Sequence, residues 1–86
     1  METITIPMDK ENLSLELAWG IAWFLAKTYN PKTSLTAWSD KKRGKYSPSP
    51  FECAAEGISD WEEYGRHHGG RKKFIVGSGD YVFIFT

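Results

Sequence analysis

The sequence is poor in cysteine: Cys53 is the only one among 86 residues. No internal disulfide can form, and a zinc site built on several thiolates is excluded. No apolar run approaches the ~18 residues that a membrane span needs. The opening stretch Met1-Glu2-Thr3-Ile4-Thr5-Ile6 has neither the basic lead nor the apolar core of a secretion signal. Net charge is missing too, since eleven Lys and Arg balance eleven Asp and Glu. At 41% hydrophobic and 26% charged, the composition is globular rather than disordered or collagen-like. The length suits one domain over residues 1–86. These absences lead us to expect a cytoplasmic protein with no membrane partner. Nothing in the sequence asks for a metal or a cofactor. Gly77-Ser78-Gly79 stands between two strand patterns rather than before a helix, so it reads as a turn and not as a phosphate loop.

What is present is segregated charge. Residues 41–50 hold four bases and no acid, in Lys41-Lys42-Arg43-Gly44-Lys45. Residues 51–65 hold five acids and no base: Glu52, Glu56, Asp60, Glu62 and Glu63. Residues 66–73 return four bases with His67 and His68. Either these blocks face one another across the fold, or each sets up a local potential that the neutral total hides.

Along the chain, Thr3-Ile4-Thr5-Ile6 alternates as a half-buried strand ended by Pro7. Ser14 is the preferred N-cap of a helix to about Tyr29, which Asn30-Pro31 stops. A second strand is expected over Thr33–Trp38, then a charged loop from Asp40 to Pro50. Ser49-Pro50-Phe51-Glu52 and Ser59-Asp60-Trp61-Glu62 each open a short helix in the manner of a capping box. Lys73-Phe74-Ile75-Val76 and Tyr81-Val82-Phe83-Ile84-Phe85 form a hairpin about Gly77–Asp80. Its second arm is apolar on both faces, as in a strand covered on both sides. The order β-α-β-α-β-β predicts an α+β domain of two layers: a four-stranded mixed sheet with one long helix packed on it. The first strand, helix and second strand favour a parallel pair.

The long helix carries two apolar faces at about 100° per residue. Leu13, Leu17, Ile21, Phe24, Leu25 and Ala18 form the stripe expected to meet the sheet. Leu15, Trp19 and Trp23 follow one another on the other side, and two indoles left wet would forgo roughly 4–6 kcal/mol each. A cover is therefore expected. It is either the charged loop or the Trp61 helix, or a second copy of the chain in a homodimer whose interface holds Leu15, Trp19 and Trp23.

Three sets of residues carry candidate chemistry. Lys41, Lys42, Arg43 and Lys45 lie between Trp38 and Tyr46, and Arg71, Lys72 and Lys73 form a second basic group. Cations interleaved with rings suit a nucleic acid, another polyanion or a phosphorylated small molecule. Cys53 lies near a helix N-terminus, where a thiol pKa falls, although Glu52 and Glu56 oppose that shift. Glu63 and His67 are spaced to share a helix face, where a carboxylate can orient an imidazole as a base.

The stretches Trp38-Ser39-Asp40-Lys41-Lys42-Arg43-Gly44, Trp61-Glu62-Glu63-Tyr64-Gly65-Arg66, Gly69-Gly70-Arg71 and Gly79-Asp80-Tyr81-Val82-Phe83-Ile84-Phe85 resemble a small prokaryotic family of single-domain proteins of unknown function, mainly from Ala37 to the C-terminus. The resemblance implies a free-standing cytoplasmic domain and brings no activity with it. The residues themselves favour a non-enzymatic binding or interaction module that pairs with itself. A polyanion binder, or a small enzyme or redox protein using Cys53, Glu63 and His67, is the alternative.

Overall fold

The computed structural model describes residues 1–86 and runs β1 (Glu2–Ile6), α1 (Leu15–Tyr29), β2 (Leu35–Asp40), β3 (Lys45–Ser47), α2 (Pro50–Ala55), α3 (Trp61–His67), β4 (Lys72–Val76) and β5 (Tyr81–Phe85). A single 3-10 turn, Lys10–Asn12, precedes α1. The capping signals act as read. The Ser14 hydroxyl accepts from the Leu17 N–H, Ser49 from Glu52, and Asp60 from Glu63. Asp60, rather than Ser59, is the cap of α3.

The sheet is mixed and five-stranded, in the order β1-β4-β5-β2-β3. The fold is therefore α+β, with one strand more than the sequence pattern suggests. The extra strand is β3, inside the stretch expected to be loop. Its three residues, Lys45-Tyr46-Ser47, are too few to show a period of two, so no pattern could reveal it. The turn that returns it along β2 is held by Asp40, whose Oδ1 accepts from the Arg43 N–H at 3.2 Å.

The expected parallel partnership of β1 and β2 is also corrected. The two strands run the same way, but the β4–β5 hairpin lies between them. Strand β1 pairs in parallel with β4, and β2 antiparallel with β5. The reason is apolarity. All five residues of β5 are buried, so β5 takes the centre of the sheet and drives the half-polar β1 to the edge.

A strand apolar on both faces needs cover on both. Helix α1 covers the face of Phe74, Val76, Tyr81, Phe83 and Phe85. On the other face α3 packs over Ala37, Val82 and Ile84. A Cβ on Gly65 would stand 3.0–3.2 Å from Ile84 and Ala37 atoms, which shows how closely the α3 backbone approaches. The structure is thus layered helix, sheet, helix, and the two-layer expectation fails because it covered only one face of β5.

The orientation of α1 is the second correction. Its sheet-facing seam is Ala18, Ala22 and Ala26, all essentially buried. The facing strands supply four aromatic rings, so the helix must supply small residues for the layers to interlock at native density. Leu15, Trp19 and Trp23 flank that seam and pack against the chain's own core. Trp19 meets Trp38 and Phe83 edge-to-face at 5.7 Å, and Trp23 meets Phe85 at 4.9 Å. Within the chain it is the sheet, rather than the charged loop or the Trp61 helix, that covers the indoles, and both remain partly exposed. Leu15, Trp19 and Trp23, expected at an interface between copies, are thus partly buried against this chain's own core. Leu17 and Phe24, expected inside, are left outside, 41% and 74% exposed.

Candidate functional site

The pairing brings three segments to one end of the sheet: the β2–β3 turn, the β4–β5 turn and the approach to α1. The Lys41 N–H donates to the Asp80 carbonyl at 3.0 Å, and the Gly77 N–H to the Ile6 carbonyl at 2.9 Å. Gly77 is the point of closest approach. A Cβ there would stand 2.8 Å from a Leu13 methyl and 2.9 Å from the Asp80 carboxylate.

Between these segments lies a cleft of about 350 Å³ lined by Lys10, Leu13, Lys41, Lys42, Ser78, Asp80 and Tyr81. None of the three lysines forms an ion pair with a carboxylate. Beneath them the chain buries acid. Asp40 is 1% exposed, and its Oδ2 has no hydrogen-bond donor. Arg43 brings its Nε to 3.9 Å from that oxygen. The Oδ2 of Asp80 is likewise buried without a donor. Burial pushes the Tyr81 phenol above its ordinary pKa, with Asp40 the next contributor, Asp80 and Glu16 adding, and Arg43 opposing. Tyr81 is therefore a neutral hydroxyl at physiological pH, a donor and acceptor at the cleft wall.

The sequence-predicted basic residues divide between the two ends of the sheet. Lys41 and Lys42 line the cleft, and Arg43 is turned onto Asp40. Lys45 opens onto a second, shallower cleft with Tyr46 and Trp61. Arg71, Lys72 and Lys73 lie at the opposite end, where β4 begins. Lys72 pairs with Glu2 and sits 4.3 Å over the Tyr29 ring, and Lys73 Nζ is 3.0 Å from Glu62. The structure thus does not join the two basic groups into one surface. Lys10, Asp40, Asp80 and Tyr81 were missed, since only the strand pairing brings them together; a lone Lys10 ahead of a helix carries no local signal.

Cys53 is buried in α2. Burial raises its thiol pKa first, and the charges of Asp60, Glu52 and Glu56 raise it further. Both effects oppose the lowering that a helix N-terminus offers a thiol. Glu63 and His67 do pair, Oε1 to Nε2 at 3.2 Å, but His67 is 60% exposed and Glu63 also holds Arg66 at 2.9 Å. The other histidine, His68, stacks on Tyr64 with centroids 3.9 Å apart and bonds Glu56 at 2.9 Å, tying α3 to the end of α2. The charges that act on Cys53 are those of Asp60, Glu52 and Glu56 rather than of Glu63 or His67.

The chain matches, over residues 1–85, the family described as Domain of unknown function (DUF5619), and it belongs to that family. It is also similar to a crystal structure of the novel protein AF1514 from Archeoglobus fulgidus DSM 4304. The identity is 28% and the TM-score 0.76, covering 100% of this chain and 93% of that one. No curated protein matches the chain. The family expected from the C-terminal stretches is one of unknown function, as shown, and the match extends through the first strand and α1.

Proposed function

We propose that this member of the family is a non-enzymatic binding module of the cytoplasm, and that its ligand is a small anion bearing phosphate. The observation that carries the reading is the convergence of Lys10, Lys41 and Lys42 on one cleft with no carboxylate paired to any of them. Cations focused by low-dielectric walls attract anions well beyond what a neutral total suggests. A cleft of about 350 Å³ lies within the range of small-molecule sites and is too small for a nucleic-acid strand. A strand would also need exposed rings within the cleft for its bases to stack on, and Tyr81, the one ring that lines it, is buried, the exposed Tyr46 belonging to the second cleft. Tyr81 and Ser78 offer hydroxyls that fix a ligand's orientation. Binding rather than catalysis fits a site whose lining holds no thiol, Cys53 lying outside it with its pKa raised by burial. A free thiol accords with a reducing compartment.

The test is calorimetric titration with inorganic pyrophosphate, and separately with single-stranded oligothymidylate, at about 50 mM salt. Pyrophosphate is expected to bind the wild type, more weakly as salt rises. The Lys10→Ala/Lys41→Ala/Lys42→Ala variant is expected to lose at least about tenfold in affinity. Arg71→Ala, at the far end of the sheet, should bind as the wild type does. Equal affinity in the triple variant, or binding of the oligonucleotide alone, overturns the reading.

A further inference from the structure

With the indoles turned inward, the outer face of α1 is left without a neighbour in the chain. Glu16, Leu17, Gly20, Phe24 and Lys27 fall within a sector of about 100° on that face. Phe24 is 74% exposed and takes part in no ring–ring contact. One turn before it, Gly20 opens a notch: a Cβ there would meet nothing within 4 Å. The face therefore carries a projecting ring, a recess of matching position, and one charge of each sign at its two ends. The acid belongs to the first turn of the helix and the base to the last.

We propose that a second copy of this chain covers the face, the two α1 helices crossing antiparallel about a two-fold axis. The axis lies at the level of Ala22, which places Phe24 of each copy in the notch above Gly20 of the other. Glu16 and Lys27 lie six residues before and five after that level. The acid of each copy thus comes within about 1.5 Å of axial register with the base of the other. A ring and a recess that match under a two-fold operation are what an isologous interface requires. The charges select the same pairing, since a parallel arrangement sets like against like. Another protein would have to reproduce this ring, recess and charge order in reverse, which a second copy does without further design. The face offers one large and two or three smaller apolar groups, so the buried area falls below the ~1,200 Å² of standard stable complexes. The dimer is weak and reversible.

Sedimentation velocity on the full chain over about 1 µM to 0.5 mM tests the proposal, with a dissociation constant in the micromolar to sub-millimolar range expected. Phe24→Glu should weaken association at least about tenfold while circular dichroism stays that of the wild type. Glu16→Lys and Lys27→Glu should each weaken it, and the double exchange Glu16→Lys/Lys27→Glu should restore it, because it returns opposite charges to both ends. A wild type that remains monomeric throughout the range overturns the proposal and leaves the face to a different protein. A Phe24→Glu chain that dimerises like the wild type overturns the ring-in-notch contact. A double exchange no stronger than the single ones overturns the antiparallel register.

Discussion

Trp19→Ala separates a ring that belongs to the core from one that belongs to an interface. In the structure Trp19 lies half-buried between α1 and the sheet, edge-to-face with Trp38 and Phe83 at 5.7 Å. Truncating a core aromatic to alanine costs about 3–5 kcal/mol, and the partial exposure of Trp19 sets the expectation near the lower bound, about 3 kcal/mol. An 86-residue domain has roughly 4–13 kcal/mol in total. The variant therefore gives up between a quarter and three quarters of its stability. In urea, with a slope near 1 kcal/mol per molar for so small a chain, the midpoint should fall by about 3 M. The better helix propensity of alanine returns about 0.5 kcal/mol and does not alter the outcome. Phe24→Ala, on the opposite face, should move stability by less than about 0.5 kcal/mol. Unfolding followed by far-ultraviolet circular dichroism at low micromolar concentration reads both variants without interference from self-association. A Trp19→Ala midpoint within about 0.5 M of the wild type would falsify the packing described here and return the indoles to an interface.

Two further outcomes follow from the other face of the sheet and from α2. A Cβ on Gly70 would stand 2.5 Å from the Gly65 carbonyl oxygen and 2.6 Å from an Ile84 methyl, and that carbonyl is itself fixed by the Gly70 N–H at 2.8 Å. Gly70→Ala should therefore cost about 1–3 kcal/mol, and Gly65→Ala, whose Cβ would stand no nearer than 3.0 Å to Ile84 and Ala37 side-chain atoms and meet no backbone, should cost less; thermal melts that rank the two the other way would refute the reasoning. Cys53 should alkylate at least about tenfold more slowly than free cysteine near neutral pH, because burial and three carboxylates raise its pKa and delay thiolate formation. Its rate should climb with pH through a midpoint above the free thiol's ~8.5, and a midpoint below that value would show an activated thiol.

Local chemistry was legible wherever a short stretch carried its own cause. Ser14 and Ser49 mark helix starts through hydroxyl-to-backbone hydrogen bonds three residues on, and Gly77–Asp80 joins two strands that are next to each other in the chain. Tyr81–Phe85, apolar at every position, announces a strand with no wet face, and the sheet places it at the centre. Each basic cluster was visible as well, but its partners were not. Lys72 and Lys73 are tied to Glu2 and Glu62, and an ion pair across 70 residues leaves no trace in spacing.

The face that α1 turns inward was decided by tertiary structure. Helical periodicity offered two apolar stripes, and the one with Leu17 and Phe24 was expected to meet the sheet. The sheet already fills the interlayer space with Phe74, Tyr81, Phe83 and Phe85, so only the alanine seam fits, and the indoles are drawn in beside it. The cleft has the same origin, since Lys10, Lys41, Lys42 and Tyr81 come from three separate segments that meet only through strand register. Sequence by itself determined every α-helix and every strand but β3, because propensity, capping and turn chemistry act over a few residues. Only the tertiary structure decided which faces meet and which charges go unpaired, because volume and electrostatic balance are properties of the assembled layers.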